Sequence, residues 1–213
     1  MIGRSRQQEA PLDAGAGVAG SQAGQGAGEA RTDPAEAADD GGSPAASPYA
    51  RAEALMEQGS HAGAAEAYAA LLSASPDDVR ALLGAGAALT AMSRYDAAEK
   101  ELRRALRLAP DLAEVRHQLG VVLFKRGVYA AAAVELRRAT ELNPGSGSAY
   151  LVLGEALNQL AESDQALEAL ETATRIQPEN SRAYWAMGIA YDRKGKPERA
   201  AEMYRMSREV GGR

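Results

Sequence analysis

The chain contains no cysteine among its 213 residues. That excludes disulfides, thiol catalysis, cysteine-ligated metals and a lipid-bearing N-terminal cysteine. It leaves the compartment open, since exported and cytosolic proteins alike can lack cysteine. His61 and His117 are the only histidines and stand far apart in sequence, so a histidine metal cluster within one chain is not expected. Aromatics amount to 5%, with one tryptophan, Trp185, and one phenylalanine, Phe124. No stretch is long and apolar enough to span a bilayer. No apolar run of signal-peptide length follows Arg4 and Arg6, so secretion by that route is not expected and the cytoplasm is the expected location.

Strand-like patterns and phosphate-binding loops are lacking too. The run GAGVAG at 15–20 has the letters of a dinucleotide fingerprint but neither the preceding strand nor the following helix that gives those letters meaning. The GAGA at 84–87 lies in an alanine-rich helical stretch and is a packing feature. Acids and lysines are scattered over helical faces. No catalytic, cofactor-binding or metal-ligating residues are expected, and the chain does not read as an enzyme.

The net charge is −5, unevenly placed. Residues 1–48 hold three arginines against seven acids, so the remaining 165 residues are nearly neutral. A nucleic-acid partner needs a basic footprint, and none is present.

What is abundant is order of period 34. Prolines stand at Pro76, Pro110, Pro144 and Pro178, each 34 residues after the last. A fixed period of this size marks stacked units, each unable to bury its apolar face alone. Five units follow, at about 45–78, 79–112, 113–146, 147–180 and 181–213. In each, a small residue recurs in a first helix (Ala52, Gly86, Gly120, Gly154, Gly188). An alanine recurs early in a second helix (Ala64, Ala98, Ala132, Ala166, Ala200). Large apolar residues follow four places later (Tyr68, Leu102, Leu136, Leu170, Tyr204). Residues three and four apart share a helix face, and small residues there let two axes approach while large ones fill the grooves beside them.

On these residues the chain resembles a tandem array of tetratricopeptide repeats. The pattern of an aromatic, Leu-Gly, Tyr, Ala, an aromatic and Pro is matched best by Tyr150, Leu153, Gly154, Leu157, Ala166, Leu170 and Pro178. Tyr184, Met187, Gly188, Tyr191, Ala200 and Tyr204 also match well. The resemblance covers about 165 of the 213 residues. Arg116 takes an aromatic place, Arg51 a leucine place and Gly212 the last proline place. The resemblance implies an all-α fold, an α-solenoid built as a right-handed superhelix of antiparallel helix pairs.

The organisation expected is a disordered, acidic, Gly/Ala-rich leader over 1–47 and a repeat domain over 48–213. The leader has too little apolar surface to offset its ordering entropy; it reads as solvated low-complexity chain or as a recruitment segment. The first unit reads as a degenerate cap, with helices over about 48–57 and 62–74 and Gly59 suited to a helix end. Asp96 and Asp164 are expected as N-caps or first-turn acids, and Tyr95 and Tyr129 as packed at turns. Arg103, Arg104, Arg107, Arg137 and Arg138 read either as a basic stripe or as partners of Glu99, Glu101, Glu135 and Glu141.

In the resembled family the first helix of each pair lines a concave groove. The corresponding candidates here are Leu83, Ala87, His117, Val121, Phe124, Leu151, Glu155, Asn158, Trp185 and Ile189, with Thr90 and Asp192 beside them. Phe124 and Trp185 read as anchors for a partner or as core. Some members grip a C-terminal carboxylate with Lys, Arg and Asn. The places concerned hold Tyr49, Glu53, Leu83, Ala87, His117 and Val121, so that clamp is not expected. The functional reading is a non-catalytic scaffold or adaptor binding a peptide or helix of a protein partner. The alternatives are a structural subunit self-associating through Met203, Met206 and Val210, expected to be exposed, and an accessory module of a multi-protein enzyme or assembly machine.

Overall fold

The computed structural model describes residues 47–212. The expected leader over 1–47 lies outside the described residues but for Ser47. The described residues form ten helices. The first unit holds α1 (Pro48–Glu57) and α2 (His61–Ala74), the second α3 (Val79–Ala91) and α4 (Tyr95–Leu108), and the third α5 (Ala113–Lys125) and α6 (Tyr129–Leu142). The fourth holds α7 (Gly147–Gln159) and α8 (Ser163–Ile176), and the fifth α9 (Ser181–Arg193) and α10 (Pro197–Gly211).

Two local rules repeat. Each second helix of the first four units ends two residues before a proline, because the proline ring disfavours helical backbone in the residue between. Ser75, Ala109, Asn143 and Gln177 accordingly sit at φ between −133° and −127° with ψ between 74° and 86°. The break inside each unit turns on one left-handed residue: Gly59, Ser93, Gly127, Ala161 and Gly195, with φ from 58° to 79°. That residue lets the next N–H reach back over the turn, as Arg94 N does to Leu89 O (2.8 Å) and Glu162 N to Leu157 O (3.0 Å). These bonds satisfy carbonyls that a helix end leaves orphaned.

Of the two roles expected for Asp96 and Asp164, the structure shows the first-turn acid and not the N-cap. Asp96 and Asp164 lie inside the first turns of α4 and α8, while the residues before those helices, Arg94 and Glu162, make no side-chain cap. Side-chain caps sit instead at three of the first helices, α3, α7 and α9: Asp78, Ser146 and Asn180 accept from Ala81 N, Ala149 N and Ala183 N.

The core runs between the helices of each pair and on into the next unit. Leu102, Leu136 and Leu170 are fully buried. Each such leucine removed from water stabilises the fold by about 1.5–3 kcal/mol. Each lies against a glycine of its partner helix: a methyl on Gly86, Gly120 or Gly154 would stand 2.4–2.7 Å from the leucine. The recurrent small-plus-large pair is therefore the contact that fixes the approach of each helix pair.

Charges tie unit to unit at a constant offset. Arg104 reaches Asp77 (3.1 Å) and Arg138 reaches Asp111 (3.4 Å), each 27 residues back. Arg126 and Lys194 reach the first-turn acids Asp96 and Asp164 of the preceding units. The arginines of α4 and α6 thus form no free basic stripe. Arg103–Glu99 and Arg138–Glu141 pair within a helix as expected, but the cross-unit pairs are additional. Glu135 is taken by Arg116 (2.8 Å), whose Nε also donates to Pro110 O, so the residue in the aromatic place ties down the preceding loop.

Candidate functional site

Helix contacts define which side of the stack is concave. The first helices pack in series, α1 to α3, α5, α7 and α9, whereas among the described residues no two second helices approach as closely, α6 and α8 meeting through the tip of Arg137, which donates to Gln165 Oε1 at 2.7 Å. A stack whose first helices are closer together than its second helices bends toward the first-helix side. That side is a trough floored by α1, α3, α5, α7 and α9.

The floor is built in three parts. At one end Arg80 Nη2 lies 2.7 Å from Glu53 Oε1, and its guanidinium carbon sits 4.3 Å over the centre of the Tyr49 ring. Toward the other end Arg182 holds Glu155 with two bonds, Nε to Oε1 at 2.5 Å and Nη2 to Oε2 at 2.6 Å. Both braces join residues 27 apart, from the second place of one unit to the ninth of the unit before. At the two intervening junctions those places hold Ala87 with Glu114 and Val121 with Ser148, which cannot pair this way. The middle of the trough is therefore unbraced and largely apolar.

Of the expected site residues, Leu83, Ala87, His117, Val121, Phe124, Glu155 and Ile189 are half-buried. Leu151 (7% exposed) and Asn158 (3%) are buried. Asn158 Nδ2 donates to Ala186 O at 2.8 Å and so pins α7 to α9, while its Oδ1 has no partner. Phe124 packs on Tyr129 with ring centres 5.6 Å apart. Trp185 is 52% exposed, and its ring lies 4.7 Å from that of Tyr204 at 49°.

Electrostatics follow burial. Burial lowers the His117 pKa from its ordinary value against the opposing pull of Glu114, whose Oε2 is 4.0 Å from Nδ1. A neutral imidazole with Nε2 unpartnered is the result. Tyr49 is pushed up to about 12 by burial and by its bond to Asp78. Tyr204 is likewise pushed up to about 12, by burial and by donation to Asp192 Oδ2 at 2.7 Å.

Hollows also lie off the trough. One of about 350 Å³ is lined by Asp96, Glu99, Lys100, Arg103, Arg107 and Arg126. Most of its charge is spent internally, since Arg103 and Arg126 both engage the buried Glu99. On α10, Met203, Met206 and Val210 are half-buried rather than exposed, and Ser207 Oγ donates to Ser181 O (2.8 Å), which draws that helix against α9. No described helix is long and apolar enough to cross a membrane.

Sequence reasoning missed the two arginine braces and the part played by Tyr204. The braces had a signal: an acid nine places into one unit and an arginine two places into the next. For Tyr204 the period placed the ring beside Gly188, but its contacts with Trp185 and Asp192 appear only in three dimensions.

Comparison with known proteins agrees with this architecture. The family model described as tetratricopeptide repeat matches residues 55–119 and 123–187. No curated protein matches the sequence significantly. Among solved structures, one of MamA is 30% identical with a TM-score of 0.68, and the match covers 76% of this chain and 94% of that one. YrrB, described as a TPR protein with an unusual peptide-binding site, is 26% identical with a TM-score of 0.64, covering 75% and 82%. MamA 41-end from Desulfovibrio magneticus RS-1, 23% identical with a TM-score of 0.70 over 77% and 93%, shares the fold.

Proposed function

The chain belongs to the tetratricopeptide repeat family, and from that premise we propose that it is a non-catalytic scaffold or adaptor holding a peptide or helix of a partner protein along its first-helix trough. The family's fold serves protein–protein interaction. The observation that carries the finer reading is the unbraced apolar middle of the trough, with Phe124 half-buried in it and Trp185 half-exposed beyond it. A large exposed aromatic beside apolar neighbours is the residue type that dominates binding energy in protein interfaces. An extended segment or an amphipathic helix fits an open trough better than an enclosed small molecule does.

This reading divides the chain into a leader over 1–47 and a cytoplasmic binding domain over 48–213. An affinity pull-down from native lysate, comparing the chain with a Phe124→Ala/Trp185→Ala variant, tests it. The expected result is a partner retained by the first and lost by the second, with helical circular dichroism unchanged. A partner held equally by both overturns the trough as the site.

A further inference from the structure

The trough already contains one solved example of how it treats a cation. Tyr49 and Glu53 lie one turn apart on α1, and Arg80 of the next unit settles on both, its guanidinium 4.3 Å over the ring and 2.7 Å from the carboxylate. A planar guanidinium is suited to this double engagement, because it stacks on a π face while its N–H groups point outward to an acid.

Trp185 occupies in the fifth unit the place that Tyr49 occupies in the first. One side of its indole leans on Tyr204, yet the residue stays 52% exposed. Two turns further along α9 stands Asp192, whose Oδ2 is fixed by the Tyr204 hydroxyl at 2.7 Å. Tyr204 thus positions both the ring and the carboxylate. Among the described residues no cation sits over Trp185 and none pairs with Asp192. Arg182, three residues before Trp185, is held by Glu155.

Glu53 and Glu155 are neutralised by Arg80 and Arg182, while among the described residues Glu114 and Asp192 have no lysine or arginine partner. Among the described residues Lys125 and Arg193 on the same helices also lack an acid partner, so what favours a cation here is local: the Asp192 carboxylate held near an open aromatic face.

Resting on the trough reading above, we propose that Trp185 and Asp192 receive an arginine side chain of the bound protein segment, stacked on the indole and hydrogen-bonded to the carboxylate. The partner is then a segment with apolar residues for the middle of the trough and an arginine placed toward α9.

The test is a random peptide library panned on the full chain, with the Phe124→Ala/Trp185→Ala chain as counter-selection. Trp185 is the only tryptophan, so its fluorescence reports on this site directly in titrations with the enriched peptides. The expected result is a shared arginine whose replacement by neutral, isosteric citrulline weakens binding about 5- to 30-fold. Asp192→Asn should weaken the arginine peptide and leave the citrulline peptide unchanged. Enriched peptides without a shared arginine, or equal affinity for arginine and citrulline forms, overturn the cation site while leaving the trough standing. Failure to enrich any peptide over the double variant overturns both.

Discussion

Gly154 and Leu170 meet where no other residue than glycine fits: a Cβ on Gly154 would stand 2.4 Å from Leu170 Cγ and 3.2 Å from the carbonyl oxygen of Ala166. The leucine is fully buried, and backbone closes the second side. Neither neighbour can yield without moving α8 away from α7.

Gly154→Ala is therefore expected to destabilise the chain by about 1–3 kcal/mol through overpacking, despite the better helix propensity of alanine. Urea unfolding measures it. Combining the change with Leu170→Ala, which opens room for the methyl, should cost clearly less than the two single changes added together. Strict additivity would show that the contact is not the cause.

Ala161 is a non-glycine residue at φ 60°, in the place where three other units have glycine. Its left-handed backbone costs about 1 kcal/mol that glycine does not incur. Ala161→Gly should raise stability by roughly 0.5–1 kcal/mol and lift the melting temperature. Ser93→Gly, at φ 58°, should act in the same direction.

His117 has its pKa depressed by burial, so the folded state favours the neutral ring. The unfolded chain takes up a proton as pH falls through about 6.5, and the folded chain does so only at lower pH. Stability is therefore fully present above that value and falls as acid is added. His117→Gln should remove this component, read as a flatter urea midpoint between about pH 7 and pH 5. An unchanged slope would place the acid sensitivity elsewhere.

Tyr204, pushed up to about 12, titrates later in the folded state than in the unfolded one, where the ordinary value is 10.0. Its contribution is intact below about pH 10 and is lost as pH climbs toward 12. Tyr204→Phe should make stability less sensitive to alkali over that window. Part of the sensitivity will remain, because Tyr49 is pushed up to about 12 as well.

Much of this fold was legible from one period. The prolines mark where each second helix must stop, since the residue before each cannot stay helical. The pairing of Gly86, Gly120 and Gly154 with Leu102, Leu136 and Leu170 marks which faces meet. Other features were not legible for identifiable reasons. Ser93 and Ala161 do not declare a left-handed turn, because neither residue prefers it; the repeat imposes it on them. The braces Arg80–Glu53 and Arg182–Glu155 need the superposition of neighbouring units, which local helix spacing does not reveal. Leu151 and Asn158 share the register of exposed groove positions yet are buried, because α9 closes over them through the Asn158–Ala186 hydrogen bond.

The helix contacts have a consequence for how the molecule is made. Among the described residues each helix packs its backbone closely only against its immediate neighbours in sequence and, among first helices, the next but one. Chain closure is thus always short, and low contact order of this kind goes with fast folding. During synthesis a pair such as α3 and α4 can dock as soon as α5 has left the ribosome, without waiting for α9 and α10. The polypeptide would never expose more than about one unit of unsatisfied apolar surface at a time, which limits its exposure to aggregation and its call on chaperones.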